Sequence, residues 1–348
     1  MSWEKTLDQY GAVIEERLKG CLAKTVEEAR SYHPFIAKVY SDLEEFLLRK
    51  GKRLASCSTL LTYKGYTGRV DERIKSVCVG IEIYRHCILV HDDLVDRDNL
   101  RRGEKTLHKK FMKNYDRRFG EGTAVFAGNI AYALAMRAII GSGFPEEKVT
   151  KSLLLLSRGY QEVNESQILD LLFEYKDVTV TEWSIMASKR AASLFKVTML
   201  MGAILGGASK NNLRTLEKAA VHIGYAFDIQ DDLIDTFAQE AQYGRPACGD
   251  VAAGKKPLYI VYALNSAHQE RSRTLREILG KKPLSQEERD LIRTVIRESG
   301  GLEAAKKTSK KHAEEAKTLI AKTGLHDDVK EFFNSLIFYI EENLDWYK

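Results

Sequence analysis

Residues 77–103 read VCVGIEIYRHCILVHDDLVDRDNLRRG. The stretch 77–95 is apolar at Val77, Ile81, Tyr84, Ile88 and Val95, with Leu89 and Val90 widening the stripe, and this is the period of a helix. On such a helix Asp92 and Asp96 lie one turn apart on the same face, with Asp93 beside them. Like charges at that spacing cost an isolated helix about 0.2–0.5 kcal/mol. Arg101, Arg102 and Gly103 follow. Such a stretch is either a solvated helix end or a site for a metal ion and a diphosphate.

The same period recurs along the chain. Residues 36–48, 126–140, 213–234 and 329–344 all read as helices, and the alanine-rich 126–140 reads as a tightly packed interior one. No run alternates strictly with turn dipeptides between, so no sheet is expected. Only five prolines interrupt the chain, and the breaks at 64–69, 141–145, 207–212, 243–250 and 280–283 are short. The expectation is an all-α fold in a single domain over 1–348.

Hydrophobic residues make up 44% and charged residues 30%, a soluble balance. A net charge of +5 without a nucleic-acid motif gives no reason to expect nucleic acid. The five scattered cysteines form no CxxC pair, and the N-terminal MSWEKTLD has no apolar core. The apolar run 197–208 is short for a bilayer, which needs about 20 residues. A cytoplasmic protein without stable membrane insertion is expected. The lysines of 306–317 form either a solvated helix face or a membrane or partner patch.

A second cluster, DIQDDLID, occupies 228–235. It repeats D-D-x-x-D on an apolar helical pattern, with Asp231 and Asp235 one turn apart. Each cluster is followed by basic residues: Arg101 and Arg102 after the first, Arg245, Lys255 and Lys256 after the second. Carboxylate-only ligands suit Mg²⁺, which commonly binds through one or two carboxylates plus phosphate oxygens. Arginine is the natural bidentate phosphate ligand, and lysine supplies a point charge. Two surface acidic patches explain one cluster more readily than two.

With these motifs the chain resembles the trans-type isoprenyl diphosphate synthases of the polyprenyl and geranylgeranyl kind. The likeness covers residues from about 50 to 257, through GKR (51–53), DDLVDRDNLRRG (92–103), QILD (167–170), FDIQDDLID (227–235) and GKKP (254–257). It implies a helical bundle around a deep central cavity, usually a homodimer, condensing an allylic diphosphate with isopentenyl diphosphate with three Mg²⁺ ions. It assigns Asp92, Asp93, Asp96, Asp231, Asp232 and Asp235 to metal and allylic diphosphate. Arg101, Arg245 and Lys255 then meet the allylic diphosphate. Lys52 and Arg102 meet isopentenyl diphosphate, with Arg53 close by.

The chain departs from that pattern in four places. Where the family usually reads GKRLRP, this chain reads GKRLAS at 51–56, so Ala55 replaces a basic ligand. Arg85, seven residues before Asp92, stands where His or Gln is usual, and can supply the charge that Ala55 lacks. The family's Lys-Thr pair becomes Arg190 and Ala191, with Lys189 as a neighbouring alternative. The Gln that usually opens the second motif is Asp228. His91 is either a base or a packing residue. Positions four and five before the motif, which close the family's product pocket when bulky, are Ile88 and Cys87. The small Cys87 leaves the pocket open. Tyr84, about 4.5 Å deeper along the helix, is then either its floor, for C20 to C25 products with a lean to C25, or turned to another helix. Two other functions remain open: a terpene cyclase, whose usual N-x-x-x-S/T-x-x-x-E metal site is replaced here by D-D-x-x-D, and a non-catalytic or regulatory subunit of a heteromeric synthase.

Overall fold

The protein is described by a computed structural model covering residues 3–190, 194–238, 247–266 and 269–342. Its elements run α1 (Trp3–Arg30), α2 (Pro34–Leu48), α3 (Leu54–Thr67), α4 (Glu72–Val95), β1 (Leu100–Arg101), β2 (Glu104–Lys105), α5 (Leu107–Phe111) and α6 (Arg117–Ile140). There follow α7 (Glu146–Glu174), α8 (Val180–Arg190), α9 (Phe195–Gly206), α10 (Lys210–Phe237), α11 (Gly249–Ala253) and α12 (Leu258–Leu264). The last four are α13 (Gln269–Ile278), α14 (Gln286–Glu298), α15 (Gly301–Ala321) and α16 (Asp327–Glu342). The expected all-α class holds. The exception among the described residues is the two-residue hairpin β1–β2, paired Leu100↔Lys105 and Arg101↔Glu104.

The chain divides into two compact units. The first comprises Met1–Leu155, Thr198–Ser209 and Gly324–Val329. Its central helix, α4, starts where the Asp71 carboxylate accepts the amide N–H of Ile74 at 3.1 Å, a side-chain cap. Ile74, Val77, Ile81, Tyr84 and Cys87 are then fully buried along it. Helix α6 starts the same way, with Asp116 accepting from Phe119 N at 2.8 Å. It packs against α4 through small residues. Ala124, Ala127, Ala131 and Ala135 are fully buried, and a Cβ on Gly80 would come within 2.8 Å of the Ala135 carbonyl. The backbones therefore approach too closely for larger side chains there.

One expectation is corrected at α6. Only its alanine face is interior, because Phe126 and Ile140 on the other side are 68% and 58% exposed. Helix α6 is also, among the described residues, the one helix long and apolar enough to cross a membrane by length and composition. Its apolar content is thus divided between a buried alanine face and an open stripe of larger residues.

The second unit comprises Leu156–Val197, Lys210–Thr323 and Lys330–Lys348. Helix α10 packs on α15, and Ala219, Ala220, Ile223 and Ala226 on the one and Ala305, Ala313 and Ala316 on the other are fully buried. Lys306, Lys307, Lys310 and Lys311 lie on the exposed face of α15. Between these helices the Nδ1 atoms of His222 and His312 are 2.8 Å apart, one donating to the other, and the Tyr225 ring stacks on His312 at 4.5 Å. Burial, helped by the charges of His222 and Lys311, pulls His312 down to about 4. Burial also lowers His222, against the opposing charge of Glu315.

Both folded values lie below the ordinary 6.5, so below that pH the unfolded chain binds more protons than the folded one. Stability is therefore full above about pH 6.5 and lost as pH falls toward 4. A thermal melt series should show Tm declining from pH 7 to pH 5. His312→Phe, which keeps a ring on Tyr225, should flatten that decline; an unchanged slope would assign it to other groups.

Candidate active site

The first aspartate motif lies at the C-terminal end of α4, where the helix dipole repels negative charge. Asp93 is 1% exposed. Burial pushes its carboxyl up to about 6, although Arg101 opposes the shift. Arg101 Nε donates to Asp93 Oδ1 at 2.6 Å and its NH2 to Asp92 Oδ2 at 3.2 Å, with Asp98 at 3.8 Å. The other oxygen of Asp93, Oδ2, is buried and has no hydrogen-bond partner among the described residues. Asp96 caps the helix, its N–H donating to Asp92 O at 2.9 Å.

The hairpin places the arginine pair. Its turn is Arg102–Gly103, with φ of 55° and 80°, so both turn residues are left-handed. That is the two-residue hairpin turn which normally takes Asn-Gly. Buried Arg49 holds the hairpin by donating to Arg101 O at 3.1 Å and Lys105 O at 2.8 Å. The Arg102 guanidinium lies over Gly51, where a Cβ would meet its Cζ at 2.7 Å. Its NH1 donates to Arg49 O at 3.0 Å. Loss of solvent around the guanidinium, opposed by Glu82 and reinforced by Arg53, Arg85 and Arg101, pulls Arg102 down to about 10. An arginine crowded by three others marks a place short of an anion.

The neighbouring residues divide by role. Arg53 is 5% exposed and turned inward, donating to Glu15 at 2.9 Å, Leu47 O at 2.7 Å and Glu82 at 3.3 Å. Lys52 places its ammonium 4.9 Å over the Trp3 ring. Arg85 is half-buried on α4. Tyr84 is fully buried with its ring 6.4 Å from Tyr132 of α6, Cys87 is fully buried, and Ile88 is 8% exposed. His91 Nε2 lies 3.2 Å from the Val125 carbonyl and over Gly128. A carbonyl only accepts, so that nitrogen carries the proton and is not a base.

The second motif lies on α10 in the second unit. Arg190, the last residue of α8, donates through Nε to Asp228 at 2.9 Å and lies 3.5 Å from Asp232 and 4.0 Å from Asp170. Lys255 reaches Asp170 at 3.7 Å, whereas Lys189 pairs with Glu165. Burial pushes Asp232 well above the usual carboxylate range despite Arg190. Its Oδ2 is buried without a hydrogen bond among the described residues. Asp235 is 1% exposed and accepts the Asp250 N–H at 3.0 Å, and half-buried Asp231 completes the motif. Lys256 is committed to the C-terminal carbonyls of α7, Phe173 and Glu174. Arg245 and Ala191 lie outside the described residues. Sequence reading gave no role to Asp170, although QILD ends on it, nor to Glu82 and Arg49, whose partners Ser56 and Arg101 lie 26 and 52 residues away.

Each motif thus has a buried carboxylate oxygen that makes no hydrogen bond among the described residues, beside an arginine. Among the described residues no three His, Cys, Asp or Glu side chains converge tightly enough to hold an ion alone. That donor set fits Mg²⁺, which takes one or two carboxylates and completes its shell with water and phosphate oxygens.

Residues 37–297 match the model of the polyprenyl synthetase family. The chain belongs to this family. It is a trans-isoprenyl diphosphate synthase by family, and a prenyltransferase. It is 30% identical over 271 residues to a short chain isoprenyl diphosphate synthase of Methanocaldococcus jannaschii, covering 78% of this chain and 80% of that one. It is 28% identical over 300 residues to a geranylfarnesyl diphosphate synthase of Aeropyrum pernix, covering 84% and 91%. Among solved structures, a geranylgeranyl pyrophosphate synthase of Corynebacterium glutamicum, complexed with isoprenyl diphosphate and magnesium, superposes with a TM-score of 0.90 at 23% identity, over 98% of this chain and 99% of that one. At that identity the structural likeness bears on the fold.

Proposed function

We propose that this prenyltransferase condenses isopentenyl diphosphate head-to-tail with an allylic diphosphate to give a trans product of C20 to C25. The observation that carries the reading is the pair of D-D-x-x-D motifs, each with a buried carboxylate oxygen that makes no hydrogen bond among the described residues and an arginine beside it. The relatives named for geranylgeranyl and geranylfarnesyl products support the length. Asp92, Asp93, Asp96, Asp231, Asp232 and Asp235 would hold Mg²⁺, three ions by resemblance. Mg²⁺ there supplies Lewis-acid withdrawal of charge from the leaving diphosphate.

The side chains do the rest. By resemblance, Arg101, Arg245 and Lys255 would donate to departing phosphate oxygens, and Arg190 would add positive charge beside the second motif, stabilising the charge that develops. Arg102, Arg85 and Lys52 bind isopentenyl diphosphate, and Arg53 supports them from inside. Ile88, Cys87 and Tyr84 keep water from the allylic cation. By family analogy the departed diphosphate is the base. The open stripe of Val125, Phe126 and Ile140 on α6 supports a homodimer. Five free cysteines fit the reducing cytoplasm. The family match runs through both compact units, which supports a single catalytic domain.

Incubation of the purified chain with Mg²⁺, isopentenyl diphosphate and geranyl or farnesyl diphosphate tests this. A C20 or C25 diphosphate is expected. A hydrocarbon would indicate a cyclase, and turnover only with a second protein would indicate a subunit. In the same assay, with Tyr84 as the floor, Tyr84→Ala should lengthen the product by at least one C5 unit; an unchanged product removes Tyr84 from that role. Arg85→Ala should raise KM for isopentenyl diphosphate about tenfold, the loss of one charge-assisted contact, and leave KM for the allylic substrate alone. Equal effects on both would end the compensation for Ala55.

A further inference from the structure

A buried polar string lies behind Arg102. Glu82 and His86 stand one turn apart on α4 and are 2% and 1% exposed. Glu82 Oε1 accepts the Ser56 hydroxyl at 2.6 Å and the Ser56 N–H at 3.3 Å, while Oε2 accepts Arg53 NH1 at 3.3 Å. A buried carboxylate with both oxygens satisfied is locked in place, because moving it would strand a charge in the core.

His86 stands on that base. Its Nδ1 is 2.8 Å from the Glu82 backbone carbonyl. A carbonyl only accepts, so Nδ1 carries the proton and Nε2 is left as an acceptor. Nε2 faces Arg102 NH1 at 3.5 Å, and the same NH1 donates to Arg49 O at 3.0 Å. The imidazole ring meets the Phe46 ring edge-on, 6.0 Å between centroids. Burial keeps the imidazole neutral, down at about 3, so it stays an acceptor across the working pH range.

The charges around Arg102 make such an acceptor necessary. Arg53, Arg85 and Arg101 repel the guanidinium, and Glu82 is the group that supports its charge. Left to repulsion alone, an exposed turn arginine would swing into solvent. Instead NH1 is held from behind, and the Nε–NH2 edge makes no hydrogen bond among the described residues. That edge is the one suited to bidentate recognition of a phosphate.

We propose that His86, seated on Glu82, is a positioning residue that aims the free edge of Arg102 at the diphosphate of isopentenyl diphosphate, without touching the substrate itself. The inference rests on the assignment of that substrate to Arg102. It gives position 86 a different task from that of Arg85, which contacts the substrate in the proposed function.

His86→Phe tests it, because the ring and its packing on Phe46 remain while the acceptor is lost. Isopentenyl diphosphate is titrated calorimetrically without an allylic partner, and KM is measured for both substrates. The expected result is about a tenfold weaker isopentenyl diphosphate affinity and a matching rise in its KM, with the allylic KM and Tm unchanged. His86→Gln, whose amide oxygen can accept, should recover most of the loss. An unchanged affinity in His86→Phe, or equal shifts in both KM values, overturns the proposal. If His86→Phe does not fold, Ser56→Ala loosens Glu82 from outside the site and should raise the isopentenyl diphosphate KM alone, by a smaller factor; no rise overturns it equally. If the unaltered enzyme turns over allylic substrate yet shows no isopentenyl diphosphate binding in the titration, the substrate assignment itself fails and this inference with it.

Discussion

An Arg190→Gln enzyme is expected to depend on Mg²⁺ for its stability and to turn over about a hundredfold more slowly. Arg190 lies among Asp228, Asp232 and Asp170, at 2.9, 3.5 and 4.0 Å, with Lys255 also 3.7 Å from Asp170. Its side chain is 22% exposed and those of Asp228 and Asp232 are 16% and 14% exposed, so solvent screens these charges little. Removing one partner of a buried ion pair costs about 3–5 kcal/mol. In the metal-free protein that loss should lower Tm by on the order of 5–10 °C. Mg²⁺ replaces the missing charge, so adding it should raise Tm much further in the variant than in the parent. The rate loss corresponds to about 2.7 kcal/mol, the scale of one donor to a departing oxyanion. The check is a pair of melts, with EDTA and with Mg²⁺, beside kcat. Equal Mg²⁺ shifts in the two proteins would show that Arg190 does not act as the internal counter-cation.

The pairing also shows which parts of the site were legible. The aspartates stood out because their i, i+4 spacing on an apolar helix is a local penalty, visible without any fold. The choice between Lys189 and Arg190 was not local. It depends on the helical angle that turns Arg190 to Asp228 and leaves Lys189 on Glu165. The two departures at 190 and 228 proved to be one ion pair, which explains why a carboxylate stands where the family has an amide. Glu82 carries no local signal, since its partners Ser56 and Arg53 lie 26 and 29 residues away. Phe126 misled in the opposite direction, since composition cannot say which side of an apolar helix is covered. The hairpin escaped because its turn is Arg-Gly rather than Asn-Gly. That mismatch is itself informative.

Arg102→Asn should leave the protein at least as stable and nearly useless. A non-glycine residue at φ 55° costs about 1–2 kcal/mol, and asparagine tolerates that conformation better than arginine. The change also removes a cation from beside Arg53, Arg85 and Arg101. Against this stand the lost hydrogen bond to Arg49 O, about 1 kcal/mol net, and the longer 3.5 Å contact with His86 Nε2. Tm should therefore stay level or rise by a few degrees. The isopentenyl diphosphate KM should rise about a hundredfold or more, since a bidentate arginine–phosphate contact contributes two charge-assisted bonds of about 1.5–3 kcal/mol each. The allylic KM should barely move, because Arg101 and its aspartates are untouched. Melting temperature and the two KM values, taken together, separate this from ordinary damage. A variant that lost stability along with activity would mean that Arg102 supports the hairpin. A variant that gained stability while losing one substrate would show that the left-handed arginine is strain retained for binding.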